Sequence, residues 1–505
     1  MTMKFPYTTF RRGQKESIER IAKRLGSTIV LKAPTGFGKT IVAILSHIKA
    51  PKVLYVVRTR NEMAPVVREL KAVNEGFTIV FSGRRMCPIL RNVGIEPEDF
   101  WINCRLLREK GLCPYYERLN KVSSSSVERV LRTSGIDPHE IVANIANKLG
   151  ICPFFALSRL INNSKFIVAT YPYLFKEEVF RTAFSGDLSE YYVIIDEAHT
   201  LLNIQSLYEE VLSEPDVEAA LRDVRTYSLG KDFIDYLIKL RDLISRIKSK
   251  MLKKVEKAYV YPGEGLIQLM EDAIIELRLK KLKEMIDARN LINISTKLTK
   301  IVKFLKYVKD ENFEVYGHLD IDGSRKLRIL PTSYNLVRDR LKMPKGLLLM
   351  SGTMPRKDIV DKILECDSYY IDVEEDYGRI FPHYNIFYAV YTAVTSSFRK
   401  RSIAEYIKYA ELLKGVFNTV NKGVILALYP SYEFMNNVVS HIENDVTMIS
   451  EGPKTSFAEV VNEVFSHEKM VVNAVAGGKL SELSLIHISE PTRPRLISYA
   501  VFCLK

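Results

Sequence analysis

The sequence predicts an α/β protein built on parallel sheets and interrupted by two insertions. Three observations carry this. Short runs rich in β-branched residues alternate with helix-length amphipathic stretches over 1–80, and the same texture returns after Gly346. The stretch 82–160 holds four of the six cysteines and has no clear strand pattern. The stretch 203–345 reads as mostly long helical pattern with few glycines. Strand-then-helix alternation points to parallel strands covered on both faces.

Composition bounds the possibilities. A length of 505 residues suggests about three domains. The chain is 47% apolar and 27% charged with mean hydropathy −0.04, a globular profile that excludes a disordered or fibrous chain. A net charge of +14 points to a polyanionic partner and says nothing about fold. Six cysteines are too few for a secreted disulfide scaffold, yet enough for one metal site. The start lacks the apolar core of a signal peptide, and the longest apolar runs fall far below the ~20 residues of a membrane span, so a cytoplasmic protein without a membrane partner is expected. No internal repeat stands out, and the run Ser123–Ser126 is the one low-complexity tract.

The elements follow in order. Thr28–Leu31, Val53–Val57 and Phe77–Phe81 are strand candidates, with helices over Gln14–Leu25, Thr40–Ile48 and Met63–Ala72 between and beside them. Phe166–Thr170, Tyr192–Ile195 and Gly346–Met350 extend the first α/β unit. Val424–Leu428 and Val471–Val475 belong to a second.

Ala33-Pro-Thr-Gly-Phe-Gly-Lys-Thr40 follows the first strand and opens a helix, the P-loop pattern with Ala33 in the first glycine position. Gly36 and Gly38 let backbone N–H groups close on phosphate oxygens, and the helix N-terminus adds its dipole. Thr35, Gly36, Gly38, Lys39 and Thr40 thus form a candidate nucleotide-binding set. Lys39 reaches the β- and γ-phosphates, and the Thr40 hydroxyl ligates Mg²⁺. Val193-Ile-Ile-Asp196-Glu197-Ala-His199 is an apolar strand ending in two acids. Asp196 suits Mg²⁺ through water, and Glu197 suits polarising the attacking water. Lys39, Asp196, Glu197 and His199 form the candidate catalytic set.

Cys87, Cys104, Cys113 and Cys152 are separated by 16, 8 and 38 residues, and three of them precede proline. No pair is C-x₂-C, which argues against zinc. The ferredoxin spacing is also absent, so spacing leaves an iron–sulfur cluster, zinc and unliganded thiols open. Within 231–310, nineteen Lys or Arg stand against eleven Asp or Glu, so this stretch carries +8 of the +14. Such runs are solvated helix faces or polyanion contacts. Arg84 and Arg85 precede Cys87, placed for thiolate neutralisation or phosphate contact. Tyr115-Tyr116 and Phe154-Phe155 follow Cys-Pro steps, placed for base stacking or for packing.

The P-loop with Asp-Glu-Ala-His resembles superfamily-two helicases. Gln14 after Phe10-Arg-Arg-Gly13 resembles their adenine-reading glutamine, which adds it to the nucleotide-binding set. Arg58-Thr59 resembles motif Ia, Ser351-Gly-Thr353 motif III, and Gly423–Ala427 with Tyr429-Pro-Ser431 motif IV. With four cysteines between motifs Ia and II, the chain resembles XPD-type iron–sulfur helicases, and its compact length the archaeal members. The resemblance runs from residue 1 to about 482. It implies two RecA-like P-loop motor domains with a small Fe–S insertion and a mainly helical arch insertion. Motor domain 1 would comprise 1–81, 161–204 and 346–378, the Fe–S domain 82–160, the arch 205–345 and motor domain 2 379–482. The resemblance further implies ATP, Mg²⁺ and a [4Fe–4S] cluster on Cys87, Cys104, Cys113 and Cys152. It implies 5′→3′ movement on single-stranded DNA, action on forked duplex, a role in DNA repair of the nucleotide-excision type with repair-protein partners, a monomer, and a place at the archaeal nucleoid. DinG- or FANCJ-like helicases with another DNA substrate, and a non-enzymatic DNA-binding scaffold, are the rival readings.

The chain departs from the family near its end. Ala476-Gly-Gly-Lys-Leu-Ser-Glu482 matches the start of motif V, but nothing in 483–505 resembles motif VI. The run Leu483-Ser-Leu-Ile-His-Ile-Ser-Glu-Pro-Thr-Arg493 reads as foreign, so 483–505 is expected to be a non-native tail. The motif VI arginines stabilise charge on the transferred phosphoryl group, and such arginines are worth roughly 10³–10⁵ in rate. The chain as given is therefore expected to bind ATP and DNA weakly and to hydrolyse slowly.

Overall fold

The structure is a computed structural model. It describes residues 5–230, 232–287, 293–320, 323–380, 389–442, 445–452, 455, 460, 463–464, 466–476, 478 and 500–503, with only the backbone of 232, 285–287 and 500–503. Lys479 and most of the tail expected to be foreign lie outside these residues.

Seven parallel strands form the first sheet. They are β1 (Thr28–Lys32), β2 (Val53–Val57), β3 (Phe77–Val80), β4 (Phe166–Thr170), β5 (Tyr192–Asp196), β10 (Gly346–Ser351) and β11 (Tyr369–Asp372). Their order is β11-β1-β10-β5-β2-β4-β3. Every residue of β2, β3 and β10 is buried, the mark of strands covered on both faces. The expected strands all form, within a residue or two of their expected ends.

Both insertions replace crossovers between neighbouring strands. The cysteine-bearing stretch joins β3 to β4, and the basic stretch joins β5 to β10. Packing divides the cysteine-bearing stretch. Cys87, Leu90, Ile95, Phe100, Leu107 and Cys113 form a small core that Ile294 from the basic stretch completes. Val127, Leu131, Ile141, Ile145, Leu157 and Ile161 instead join the main core of the first sheet.

The basic stretch contains more than the expected helices. An antiparallel sheet forms from β6 (Glu210–Ser213), β7 (Lys253–Val255), β8 (Phe313–Leu319) and β9 (Arg325–Pro331), in the order β6-β9-β8-β7. Phe313, Val315 and Gly317 alternate with half-buried Glu314 and Tyr316 along β8. That period of two is short and charge-laden, so it hides inside a helix-rich stretch. The helices Glu214–Thr226, Asp232–Ser245, Glu264–Asp287 and Lys297–Lys309 complete the insertion.

The second α/β unit has parallel strands β12 (Gly423–Tyr429), β13 (Met448–Ser450), β14 (Lys469–Val475) and β15 (Ala500–Cys503), in the order β13-β14-β12-β15. The backbone of the tail's last segment thus lies beside β12. Helices Ile403–Thr419 and Tyr432–Val439 bury Tyr409, Leu413, Phe434 and Val438 against the unit.

Candidate nucleotide site and cysteine cluster

In open α/β sheets ligands bind at the carboxyl ends of the strands. Here β1, β10, β5 and β2 are consecutive neighbours. Their carboxyl ends carry the P-loop, Ser351–Thr353, Asp196–His199 and Arg58–Thr59, so the sheet order alone gathers four motifs.

Gly36 and Gly38 adopt φ of 83° and 91°. A Cβ on Gly38 would stand 2.6 Å from Gln14 Nε2, so only glycine fits that turn. Lys39 is buried and its Nζ donates to Ala33 O at 3.3 Å, folded into the loop it serves. Thr35 borders Gly352 of the Ser351 turn, with Oγ1 3.7 Å from where a Cβ there would stand. Gln14 is buried. Its Nε2 donates to Phe37 O at 2.6 Å and its Oε1 accepts from Arg11 N at 2.7 Å. Its amide therefore braces the P-loop.

Asp196 Oδ1 accepts from Glu197 N at 3.0 Å, and Oδ2 accepts from the Tyr55 hydroxyl at 3.0 Å. Burial, then the Glu197 charge, raises Asp196 to about 6. Glu197 sits at φ 49°, a costly conformation for a non-glycine residue. Burial pushes its carboxyl up, but His199, Lys39 and Ser351 together hold it below its ordinary value. The Ser351 hydroxyl donates to Glu197 Oε2 at 3.0 Å and accepts from Thr353 N at 3.2 Å. His199 Nδ1 lies 2.7 Å from Ser351 Oγ. A hydroxyl has one proton to give, so Nδ1 must carry its own proton toward Ser351. This network keeps Glu197 ionised and fixed, as a group that orients an attacking water requires.

The sequence reading missed three groups at this site. Tyr55, inside an apolar strand, and Tyr171, beyond a strand end, read as core aromatics. The Tyr171 hydroxyl donates to the Asp196 carbonyl and accepts from Thr200 Oγ1 at 3.1 Å. Glu62 accepts from Arg58 N at 2.9 Å, Thr59 N at 3.3 Å and Thr59 Oγ1 at 2.9 Å. Thr59 and Glu62 stand at capping-box spacing, a signal that was present in the sequence.

The four cysteines converge. The charges of Cys87, Cys104 and Cys113 all weigh on Cys152, and those of Cys87 and Cys113 on Cys104 as well. Cys113 and Cys152 cap short helices that begin with their prolines, and Cys87 ends the turn Gly83–Met86. Backbone N–H groups face the sulfurs. Leu90 N lies 3.3 Å from Cys87 Sγ, Tyr115 and Tyr116 serve Cys113, and Phe155 serves Cys152. The Arg108 guanidinium serves Cys104, with its centre 4.8 Å from the Tyr116 and Phe155 rings. Burial raises Cys104 to about 11 and Cys152 to about 12 as free thiols. Tyr116, Phe154, Phe155 and Trp101 pack edge to face in one chain, so packing claims rings that also suited base stacking. Among the described residues, no three His, Cys, Asp or Glu side chains close on a single metal ion.

Most lysines of the basic stretch are engaged. Lys281 pairs with Asp223 at 3.1 Å, Lys300 with Asp216 at 2.7 Å, Lys303 with Glu210 at 2.8 Å and Lys306 with Glu271 at 2.6 Å. Lys248, Lys250, Lys253 and Lys283 are exposed and have no ion pair among the described residues.

A P-loop and an Asp-Glu-Ala-His strand end on parallel strands either side of β10 define a motor of the nucleoside-triphosphatase class. The DEAD/DEAH box helicase family matches residues 11–92, and the DEAD_2 family matches 55–215. The chain is 28% identical over 465 residues to the ATP-dependent DNA helicase XPD of Sulfolobus acidocaldarius, covering 90% of this chain and 78% of that one. It is 23% identical to the ATP-dependent DNA helicase CHL1 of Vanderwaltozyma polyspora, covering 75% of this chain and 50% of that one. A solved XPD helicase superposes with TM-score 0.61 at 23% identity, over 94% of this chain and 82% of that one. The chain is thus similar over most of its length to ATP-dependent DNA helicases of the XPD type, and its fold is that of a solved XPD helicase. No single helix among the described residues is long and apolar enough to cross a membrane.

Proposed function

We propose that this chain is a slow ATP-driven motor, slow because nothing in it resembles motif VI, that moves 5′→3′ along single-stranded DNA, opens forked duplex ahead of it, and serves DNA repair as a monomer beside the archaeal chromosome. The observation that carries the reading is the joined set Lys39, Thr40, Asp196, Glu197, His199 and Ser351 across β1, β5 and β10. In this reading Lys39 neutralises the phosphates while Thr40 and Asp196 hold Mg²⁺, which supplies a counter-charge for the transferred phosphoryl group. Glu197, kept ionised, orients the water, and Ser351 carries the state of that carboxylate toward the Thr353 turn. Gln14 steadies the loop from beneath. The exposed Lys239, Arg246, Lys248, Lys250, Lys253 and Lys283, without ion pairs among the described residues, are candidates in the basic stretch for phosphate contact.

The donor set suits a [4Fe–4S] cluster on Cys87, Cys104, Cys113 and Cys152. A cluster spreads its thiolates wider than a single ion does, and N–H groups aimed at the sulfurs are the outer contacts that hold and tune one. When bound, the cluster staples the small core of Leu90, Phe100 and Leu107.

Unwinding of forks with a 5′ or a 3′ single-stranded arm, under limiting protein, tests the reading. Preference for the 5′ arm, lost in Lys39→Ala, is expected. Preference for the 3′ arm overturns the polarity, and unwinding by Lys39→Ala overturns the motor.

A further inference from the structure

Tyr55 stands in the middle of β2, opposite Ile194 of β5 and Val168 of β4, and no part of it reaches solvent. A buried phenol needs partners, and any nearby carbonyl would have served. Its hydroxyl instead donates to Asp196 Oδ2 at 3.0 Å, and the Thr40 side chain stands beside it. The phenol thus stands between the P-loop hydroxyl and the first acid of the strand end, two groups 156 positions apart in the chain.

We propose that Tyr55 is a positioning residue for the divalent cation of this site, orienting the Thr40 hydroxyl and the Asp196 carboxylate together. The inference rests on the nucleotide-site reading above. A hydroxyl that ligates a cation uses its lone pairs, so its proton must point elsewhere. In this proposal the phenol oxygen beside it takes the Thr40 proton once a cation is bound. The phenol proton goes in turn to Asp196 Oδ2. With Glu197 N on Oδ1, the carboxylate is held from both sides and keeps lone pairs for the water shell of a cation. Tyr171 touches the same residue only at its backbone carbonyl, so it supports the strand end without setting the carboxylate. Contacts of this outer kind around a metal are worth about 10–100-fold in metal affinity.

Binding of a fluorescent ATP analogue to the full chain, with EDTA and then with increasing Mg²⁺, tests this. For Tyr55→Phe the expected result is unchanged metal-free binding, a half-saturating Mg²⁺ concentration raised about ten-fold, and a circular-dichroism spectrum like the unmodified chain. Tyr171→Phe is expected to leave the Mg²⁺ dependence in place. An unchanged Mg²⁺ dependence in Tyr55→Phe overturns the proposal. So does an equal shift in Tyr171→Phe, or a loss of metal-free binding that accompanies the shift. Failure of the unmodified chain to bind the analogue in either condition overturns the nucleotide-site reading, and the proposal with it.

Discussion

At the scale of single residues, the site works by giving its buried polar atoms fixed partners. Ser351 gives its one proton to Glu197 and takes those of His199 and Thr353. Glu62 shows the cost of crowding acids. Burial, then the charge of Asp196, pushes Glu62 from 4.5 up to about 7. Between those values the folded chain holds a proton that the unfolded chain has released, so stability falls as pH rises through that window and levels off above it. In metal-free buffer, Glu62→Gln is expected to flatten the fall in melting temperature between pH 5 and 7, roughly the window those two values span, while keeping the bond from Thr59. An identical pH profile for the two proteins would refute this. The P-loop and the acidic strand end were legible in the sequence because few other residue types can do their chemistry. Tyr55 and Tyr171 were not, since an aromatic in or just beyond a strand looks the same whether it only packs or also makes a hydrogen bond at the site.

At the scale of elements, the two insertions are tied to each other by charge. Asp99 of the cysteine-bearing stretch is fully buried, pairs with Arg278 and accepts from Thr296 N and Thr299 Oγ1, both at 2.8 Å. Lys297 adds a bond to Glu96 at 2.9 Å. Asp99→Asn leaves Arg278 without its charge partner. Breaking a fully buried pair costs ~3–5 kcal/mol, and the 20% exposure of the Arg278 side chain reduces that to about 2 kcal/mol. Denaturant unfolding measures it, and a change under about 0.5 kcal/mol would show the clasp to be idle. The cysteines make a second element-scale prediction. The unmodified chain, prepared without oxygen, is expected to carry about four irons with matching sulfide, and Cys104→Ser to lose them. Stoichiometric zinc would contradict it. The sequence made the parallel strands plain because they are continuous apolar runs. It hid the antiparallel sheet, whose alternating residues include Glu314, Lys326 and Arg328.

At the scale of the whole molecule, sheet order does what no single motif does. Neighbouring β1, β10, β5 and β2 bring residues from 33 to 353 to one edge, while both insertions leave from strand ends and leave that edge intact. The net charge of +14 also narrows in meaning. Much of the basic stretch is neutralised by its own acids, which leaves Lys239, Arg246, Lys248, Lys250, Lys253 and Lys283 among the basic groups there still open to a phosphate backbone. The most direct test of the ATP-driven motor is single-turnover ATP hydrolysis with and without single-stranded DNA, for the chain and for Glu197→Gln. DNA should speed hydrolysis by the chain, and Glu197→Gln should retain ATP while hydrolysing it about 10²–10⁴-fold more slowly. Equal rates in the two proteins would contradict the role of Glu197 and the site built around it.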